Sequence, residues 1–273
     1  MQRLVVAVYA LLFCFSNVLL AQTAASSSVV RDPAAVALAQ KSVAAMGGSN
    51  LASYLDLTAS GSITIAAGTR GTANTYPLVI KAKGTHELRT EIGKPNGAQL
   101  WATDGNSGCM TYGQTSMPVA FQNLVAQRVD FFPVLSLLSE YASSNMNLQN
   151  AGTATVNGHA AYVIALSFTP ANFAMAGVQT ASFSQRIFYI DQQSYLVLKM
   201  QSTHYADNAP ENGIPSEMYF SNYQAVNGLL LPTKVDQYFD GHLTSSISLT
   251  AFTLNTGLLD SQFTMACGGS YAN

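Results

Sequence analysis

At 273 residues, the chain is long enough for one large core, and with 10% charged side chains and a formal charge of −2 it carries no basic stripe. Nucleic acid and anionic membrane surfaces are therefore poor candidates as partners, since both call for clustered Lys and Arg, and no nucleic-acid partner is expected. Polarity comes instead from Ser, Thr, Asn and Gln, as in exported β proteins.

The chain opens with "MQRLVVAVYALLFCFSNVLLAQTAASSS". Arg3 precedes an apolar run from Leu4 to Phe15, and a small residue, Ala21, closes the stretch, the layout of a secretory signal peptide cleaved near Ala21. The run is shorter than the roughly 20 residues of a membrane span. The expected product is periplasmic or secreted: residues 22–31 without fixed structure, then a single domain over 32–273. Losing Arg3 leaves 11 cations against 14 anions, a charge of about −3. Cys14 leaves with the leader. Cys109 and Cys267 then form an even pair in an oxidising compartment, which makes them a candidate disulfide; two separate buried thiols are the alternative.

In "RDPAAVALAQKSVAAMGG", Asp32 is placed to cap a helix, Pro33 suits its first turn, and Gly47-Gly48 end it. Val36, Ala39, Val43 and Met46 form its apolar stripe. The period then changes to two. In "LTASGSITI", Leu57, Ile63 and Ile65 face one way and the Ser/Thr set the other; "PLVIKAKG", "HELRTEI" and "QLWATDGNSGCMTYG" continue as strands.

"VAFQNLVAQRVDFFPVLSLLSEY", residues 119–141, interrupts the strands with helical spacing. Ser116 and Pro118 suit a helix start, Phe121, Leu124 and Val125 form one apolar edge, and Pro133 separates a second helix carrying Leu135 and Leu138. Arg128, Asp130 and Pro133 at its centre exclude a membrane span. Two readings stay open: helices packed permanently on the sheet, or a lid over 117–143, with Phe131 and Phe132 among its apolar residues, closing a greasy cavity.

The C-terminal half alternates more regularly. Asn157-Gly158, Asn227-Gly228 and Asp240-Gly241 each sit between apolar alternations, a strong hairpin signal. Tyr162, Ile164 and Leu166 share one face, as do Leu229, Leu231, Val235 and Phe239, and then Leu243 and Ile247. Together with Leu57, Ile63 and Ile65 these are the candidate cavity wall. The expected fold is mainly β with a few helices: a strongly curved, half-open antiparallel barrel of about ten or eleven strands, an N-terminal helix and lid helices over its apolar face.

The catalytic search is negative. "HELRT" starts like a zinc-protease motif, but Thr90 stands where the second His is needed. His204, Asp207 and Glu211 read as a solvated loop rather than a metal site. No nucleophile elbow or phosphate loop appears, and no cofactor or metal is expected.

The order of elements resembles the periplasmic carriers of outer-membrane lipoproteins, the LolA/LolB-like superfamily with its related lipid-binding lipoproteins and sensors. The resemblance rests on "AVALAQKSVAAMGG", "LTASGSITI", the Asp-Gly turn in "QLWATDGNSGCMTYG", the inserted helices, "RIFYIDQQSYLVLKM" and the closing "NGLLLPTKVDQYF…LLDSQF". It implies a monomeric half-barrel that binds lipid or lipoprotein acyl chains and has transport partners in the inner and outer membranes. It also implies an arginine on an early strand that latches the lid, where this chain has Lys81 and Lys83. The family's sensor members imply an alternative, a periplasmic protein-binding module without a transported ligand.

Overall fold

The computed structural model describes residues 29–68, 71–125, 127–168, 180–206 and 209–267, so the signal-peptide segment lies outside the described residues. Helix α1 (Pro33–Ala45) begins as expected, with the Asp32 carboxylate accepting from Ala34 N at 2.7 Å and from Ala35 N at 3.4 Å. Its buried stripe is Ala35, Ala39, Ser42 and Val43, with Met46 just beyond. At its end Gly47 turns at φ 83° and passes so close to the Gly228 carbonyl that a side chain there would collide with it. Val30 and Arg31, expected to lack fixed structure, instead bind the chain at Asn147 and Leu148.

Thirteen strands follow among the described residues, in one antiparallel sheet. They are β1 (Asp56–Ile65), β2 (Asn74–Lys83), β3 (Glu87–Ile92), β4 (Gln99–Thr103), β5 (Gly108–Tyr112), β6 (Thr115–Pro118), β7 (Met146–Val156), β8 (His159–Phe168), β9 (Arg186–Asp191), β10 (Val197–Ala206), β11 (Ala209–Val226), β12 (Leu229–Phe239) and β13 (His242–Leu254). The count exceeds the expected ten or eleven; one of the added strands is β6, four residues whose Ser116 and Pro118 suited a helix start instead.

The strand order is β6-β5-β4-β3-β2-β1-β13-β12-β11-β10-β9-β8-β7. Two meanders join where β1 pairs with β13, and the sheet ends at β6 and β7 without closing. The chain between those two edges is the segment 119–145, which must cross from one side of the open sheet to the other. Type I′-like turns hold three of the hairpins, with Asn157 and Gly158 at φ 49° and 85°, Asn227 and Gly228 at 45° and 85°, and Asp240 and Gly241 at 49° and 74°.

The crossing segment departs from the expected helices. Thr115–Pro118 is strand β6, helix α2 (Phe121–Leu124) is a single turn, and two 3₁₀ turns follow at Pro133–Leu135 and Leu137–Glu140. Pro133 forces Phe132 into an extended conformation (φ −124°, ψ 100°), and Ser136 Oγ accepts from Leu138 N at 3.3 Å to start a new turn. The segment is wrapped on all sides by the sheet and α1, so apolar residues point every way and the helical spacing loses its meaning. Phe132, Val134, Leu135, Leu137 and Leu138 are fully buried in the main core, together with Ile164, Leu166, Phe188, Leu229 and Leu231.

After β13 the chain returns along the other face. Arg89 and Glu91 alternate with Thr90 and Ile92, and Arg89 Nη1 donates to the Gln262 carbonyl at 3.1 Å, so the tail lies on the outer surface. Asp56 anchors its start, accepting from the amides of Thr256, Gly257 and Leu258 at 2.8, 2.8 and 3.1 Å. Its end is held by the disulfide Cys109–Cys267, whose Cα atoms are 5.9 Å apart.

Candidate functional site

Between the sheet and the first half of the crossing segment lies a cavity of about 330 Å³. Its wall takes Ile63 from β1, Leu78 from β2, Leu88, Thr90 and Ile92 from β3, and Gln99 and Trp101 from β4. The opposite wall takes Ser202, Thr203 and His204 from β10, Ser216 and Met218 from β11, Gln237 and Phe239 from β12 and Ile247 from β13. In the sheet order β4 and β10 stand seven strands apart, about 34 Å if the sheet were flat. Both line one small cavity, so the sheet bends strongly around it.

The roof is made by Gln122, Asn123, Gln127, Asp130 and Phe131, with Phe183 from helix α3 (Thr180–Phe183) and Arg186 from the start of β9. Side-chain amides tie it to the sheet. Asn123 Nδ2 donates to the Tyr205 carbonyl at 2.8 Å while its Oδ1 accepts from Tyr205 N at 2.9 Å, and Gln122 Nε2 donates to the Ala206 carbonyl at 2.9 Å. These two residues act as a surrogate strand for the end of β10. On the far side Val129 N donates to the Thr85 carbonyl at 3.1 Å.

Charges complete the roof. Arg186 Nε donates to Asp130 Oδ2 at 3.2 Å, both side chains being no more than 10% exposed. Burial pushes the Asp130 carboxyl above its ordinary pKa, against the pull of the Arg186 guanidinium. Within the segment, Arg128 grips Glu140 with Nε and Nη2 at 2.5 and 3.2 Å and lies over the Phe168 ring at 5.3 Å. His86 Nε2 approaches Glu140 Oε1 at 3.6 Å. A third arginine, Arg31, donates to the carbonyls of Ser143, Tyr141 and Met146 at 2.6, 2.8 and 3.2 Å, pinning the segment where it enters β7.

The predicted wall residues divide. Ile63, Phe239 and Ile247 line the cavity. Leu57, Ile164, Leu166, Leu229, Leu231 and Val235 lie in the packed core beside it, while Ile65 and Tyr162 pack against its margin. Leu243 is 43% exposed, contrary to expectation. A bulge explains it: Gln237 pairs with Ser245 but Tyr238 with Leu243, so the extra residue Thr244 reverses the facing of what precedes it. Among the predicted lid residues, Phe131 lines the cavity, Leu124 packs under it against the Gly108 backbone, and Phe121 and Val125 are half-buried. Phe132, Leu135 and Leu138 are core, not lid.

Lys81 and Lys83, which stand on the early strand where the resemblance implies an arginine, pair with Glu91 and Asp260 on the outer face. The arginines that hold the crossing segment, Arg186 at the roof and Arg31 at its entry into β7, were not foreseen. Neither were Trp101, Ser202 and Ser216 as wall residues. The one available signal was Asp130 itself, an acid inside an apolar run, which implies a buried partner somewhere. His204 meets the Phe239 ring edge-on at 5.3 Å between centroids and lines the cavity rather than a solvated loop, while Asp207 lies outside the described residues.

A second hollow, an open cleft of about 580 Å³, lies at the end of the sheet between Tyr54, Asp56, Lys83, His86 and Leu258. It is a groove open to solvent rather than an enclosed space. Among the described residues no cluster of three His, Cys, Asp or Glu side chains is arranged to hold a metal, and no helix is long and apolar enough to cross a membrane.

An open, bent antiparallel sheet whose two edges are joined by a chain crossing its inner face defines the fold class of the LolA-like half-barrels. Solved structures agree with this. An outer membrane lipoprotein-sorting protein domain from Vibrio parahaemolyticus superposes with a TM-score of 0.54 at 12% identity, over 84% of this chain and 96% of that one. A LolA superfamily protein from Nitrosomonas europaea gives 0.53 at 14% identity, over 85% and 97%. A DUF1329 family protein from Desulfovibrio piger gives 0.54 at 12%, over 86% and 98%. The expected fold is therefore present, and at such low identity the likeness is one of fold. No protein-family model and no curated protein matches the chain.

Proposed function

We propose that this chain is a non-enzymatic periplasmic binding or carrier protein that shields an apolar chain of a lipid or lipoprotein in the roofed cavity. The observation that carries this reading is the cavity of about 330 Å³ between the bent sheet and the crossing segment. Ligand sites run from roughly 300 to 1,000 Å³, so this one suits one chain rather than several. The buried run Phe132–Leu138 fills the rest of the interior, which narrows the cargo that the sequence alone suggested.

The mechanism is burial. Each methylene removed from water gains about 0.8 kcal/mol, so eight or so gain roughly 6 kcal/mol gross. Entry requires the roof between Ala120 and Arg128 to part from β10, and the lost Asn123 and Gln122 hydrogen bonds offset part of that gain. A modest net affinity allows release, as a carrier needs. The lipoprotein-sorting description of the Vibrio structure fits the same class.

The test is native mass spectrometry of protein prepared gently from a bacterial periplasm. The expected result is a bound species of lipid mass, one per chain; protein that emerges bare and takes up no added long-chain lipid overturns the reading. A protein-binding module is the second reading, favoured by Leu55 and Leu259, 64% and 67% exposed at or beside the outer cleft.

A further inference from the structure

The two most exposed large apolar side chains among the described residues stand at the outer cleft. Leu55 and Leu259 are 64% and 67% exposed, and no other exceeds 46%. Leu55 lines the cleft together with Leu258, the neighbour of Leu259. Neither leucine sits on a loose end. Leu55 N donates to Asn255 Oδ1 at 2.8 Å, and the Leu55 carbonyl accepts from Gly84 N at 3.0 Å. On either side of Leu259, Leu258 N donates to Asp56 Oδ2 at 3.1 Å and Asp260 pairs with Lys83. Single exposed leucines are ordinary, but several on tied backbone at a concave site mark a contact surface.

The rim of this cleft is acidic. Burial raises the pKa of the Glu87 carboxyl, and the Asp260 and Asp104 carboxylates raise it further against the pull of Lys83. His86, held below its ordinary pKa chiefly by burial, adds no charge at pH 7. Asp56 is buried and engaged by the tail amides. The rim thus sets Glu87, Asp104 and Asp260 against the single ammonium of Lys83, which Asp260 already holds.

We infer that the cleft docks an extended segment of a partner protein in which an apolar side chain stands beside Lys or Arg. The apolar side chain packs between Leu55 and Leu258, and the cation takes the surplus charge at Glu87. This inference rests on the protein-binding reading of the cleft and not on what the cavity holds. An acidic segment or an anionic membrane surface would meet like charge. A second copy of the chain, docked about a two-fold axis, would bring the same acidic rim.

Random dodecapeptides displayed on phage test it, selected on full-length mature protein after depletion on the Leu55→Ser, Leu259→Ser double variant. Enriched sequences are expected to place an apolar residue next to Lys or Arg. The leading peptide, made synthetically and followed by fluorescence anisotropy, should bind about tenfold more weakly to Leu259→Ser and to Glu87→Lys. Its affinity for Leu243→Ser, altered at an exposed leucine elsewhere, should be unchanged.

Enrichment of acidic or uncharged apolar sequences overturns the basic-segment inference and leaves protein binding at the cleft standing. Failure to enrich any sequence that depends on Leu55 and Leu259 overturns both, while the lipid reading stays with its own test. Sedimentation showing a dimer that Leu259→Ser abolishes would give the cleft to a second copy and overturn the inference as well. Should the double variant not fold, depletion is omitted and the single variants still decide.

Discussion

Arg186 and Asp130 lie 56 residues apart in the chain, yet they meet at 3.2 Å in the roof of the cavity, almost shielded from water. Burying two charges is costly, and their attraction recovers the cost only while both are present. Replacing one strands the other. Arg186→Met is therefore expected to lower stability by about 3–5 kcal/mol in urea unfolding, and Asp130→Leu combined with Arg186→Met should regain most of it. A single variant as stable as the original would mean that water reaches the pair. Asp56 behaves oppositely. Burial pushes its carboxyl up, but the donors from Thr256, Gly257 and Leu258 outweigh burial and hold it below the ordinary value. Its folded pKa being depressed, its contribution is full above the unfolded value near 3.9 and fades as pH falls through the folded one. Asp56→Asn should thus be less stable at pH 7, with the gap closing as the solution is acidified below about 4; a gap independent of pH would assign the effect to shape rather than charge. Sequence could mark these acids as conspicuous but could not pair them, because each partner arrives from a distant strand or loop.

The crossing segment is where element-level reading was least reliable. Its apolar residues recur at helical intervals because nearly every position between Phe132 and Leu138 is buried, and a run that is apolar throughout satisfies any period. The hairpins were legible for the opposite reason: Asn157-Gly158 and Asn227-Gly228 need positive φ at both positions, a demand local to two residues. Once its anchors are placed, the segment divides in function. Residues 132–138 are a plug fixed in the core, whereas the stretch from Ala120 to Val125 is tied to β10 by the side-chain amides of Asn123 and Gln122. Local openings draw on such weakly packed stretches. Amide hydrogen exchange should accordingly be at least tenfold faster over 121–128 than over 132–138, and Asn123→Ala should widen the difference by accelerating only the first stretch. If both stretches exchange together, the roof opens only by unfolding the core, and cargo would have no separate entrance.

For the whole molecule the governing fact is that the sheet has two free edges, β6 and β7, and no closing pair. The bend that creates the cavity must therefore be maintained by what crosses the two faces. Inside, the plug packs on β12 and shares one core with residues of β8 and β9. Outside, the tail passes from its Asp56 anchor by way of Lys83–Asp260 and Arg89 to Cys109 on β5, bracing the β1–β6 wing. The candidate disulfide of the sequence stands, but its purpose could not be read there, since nothing in the chain's order shows that residue 267 returns over strands formed so much earlier. Linking residues 158 apart removes chain entropy from the unfolded state, up to about 5 kcal/mol in the loop-closure account. Cys109→Ala with Cys267→Ala is expected to lose about 2–5 kcal/mol in denaturant unfolding. Cys109 pairs with Ala102 in the β4–β5 ladder, the neighbouring pair being Trp101 and Met110, so its side chain lies on the face opposite the cavity wall. Ligand affinity measured on the still-folded variant should consequently change less than twofold, while exchange protection falls across β3 to β6 alone. A large affinity loss without lost protection there would mean that the tail shapes the cavity directly, and the brace would have to be reassigned to the plug.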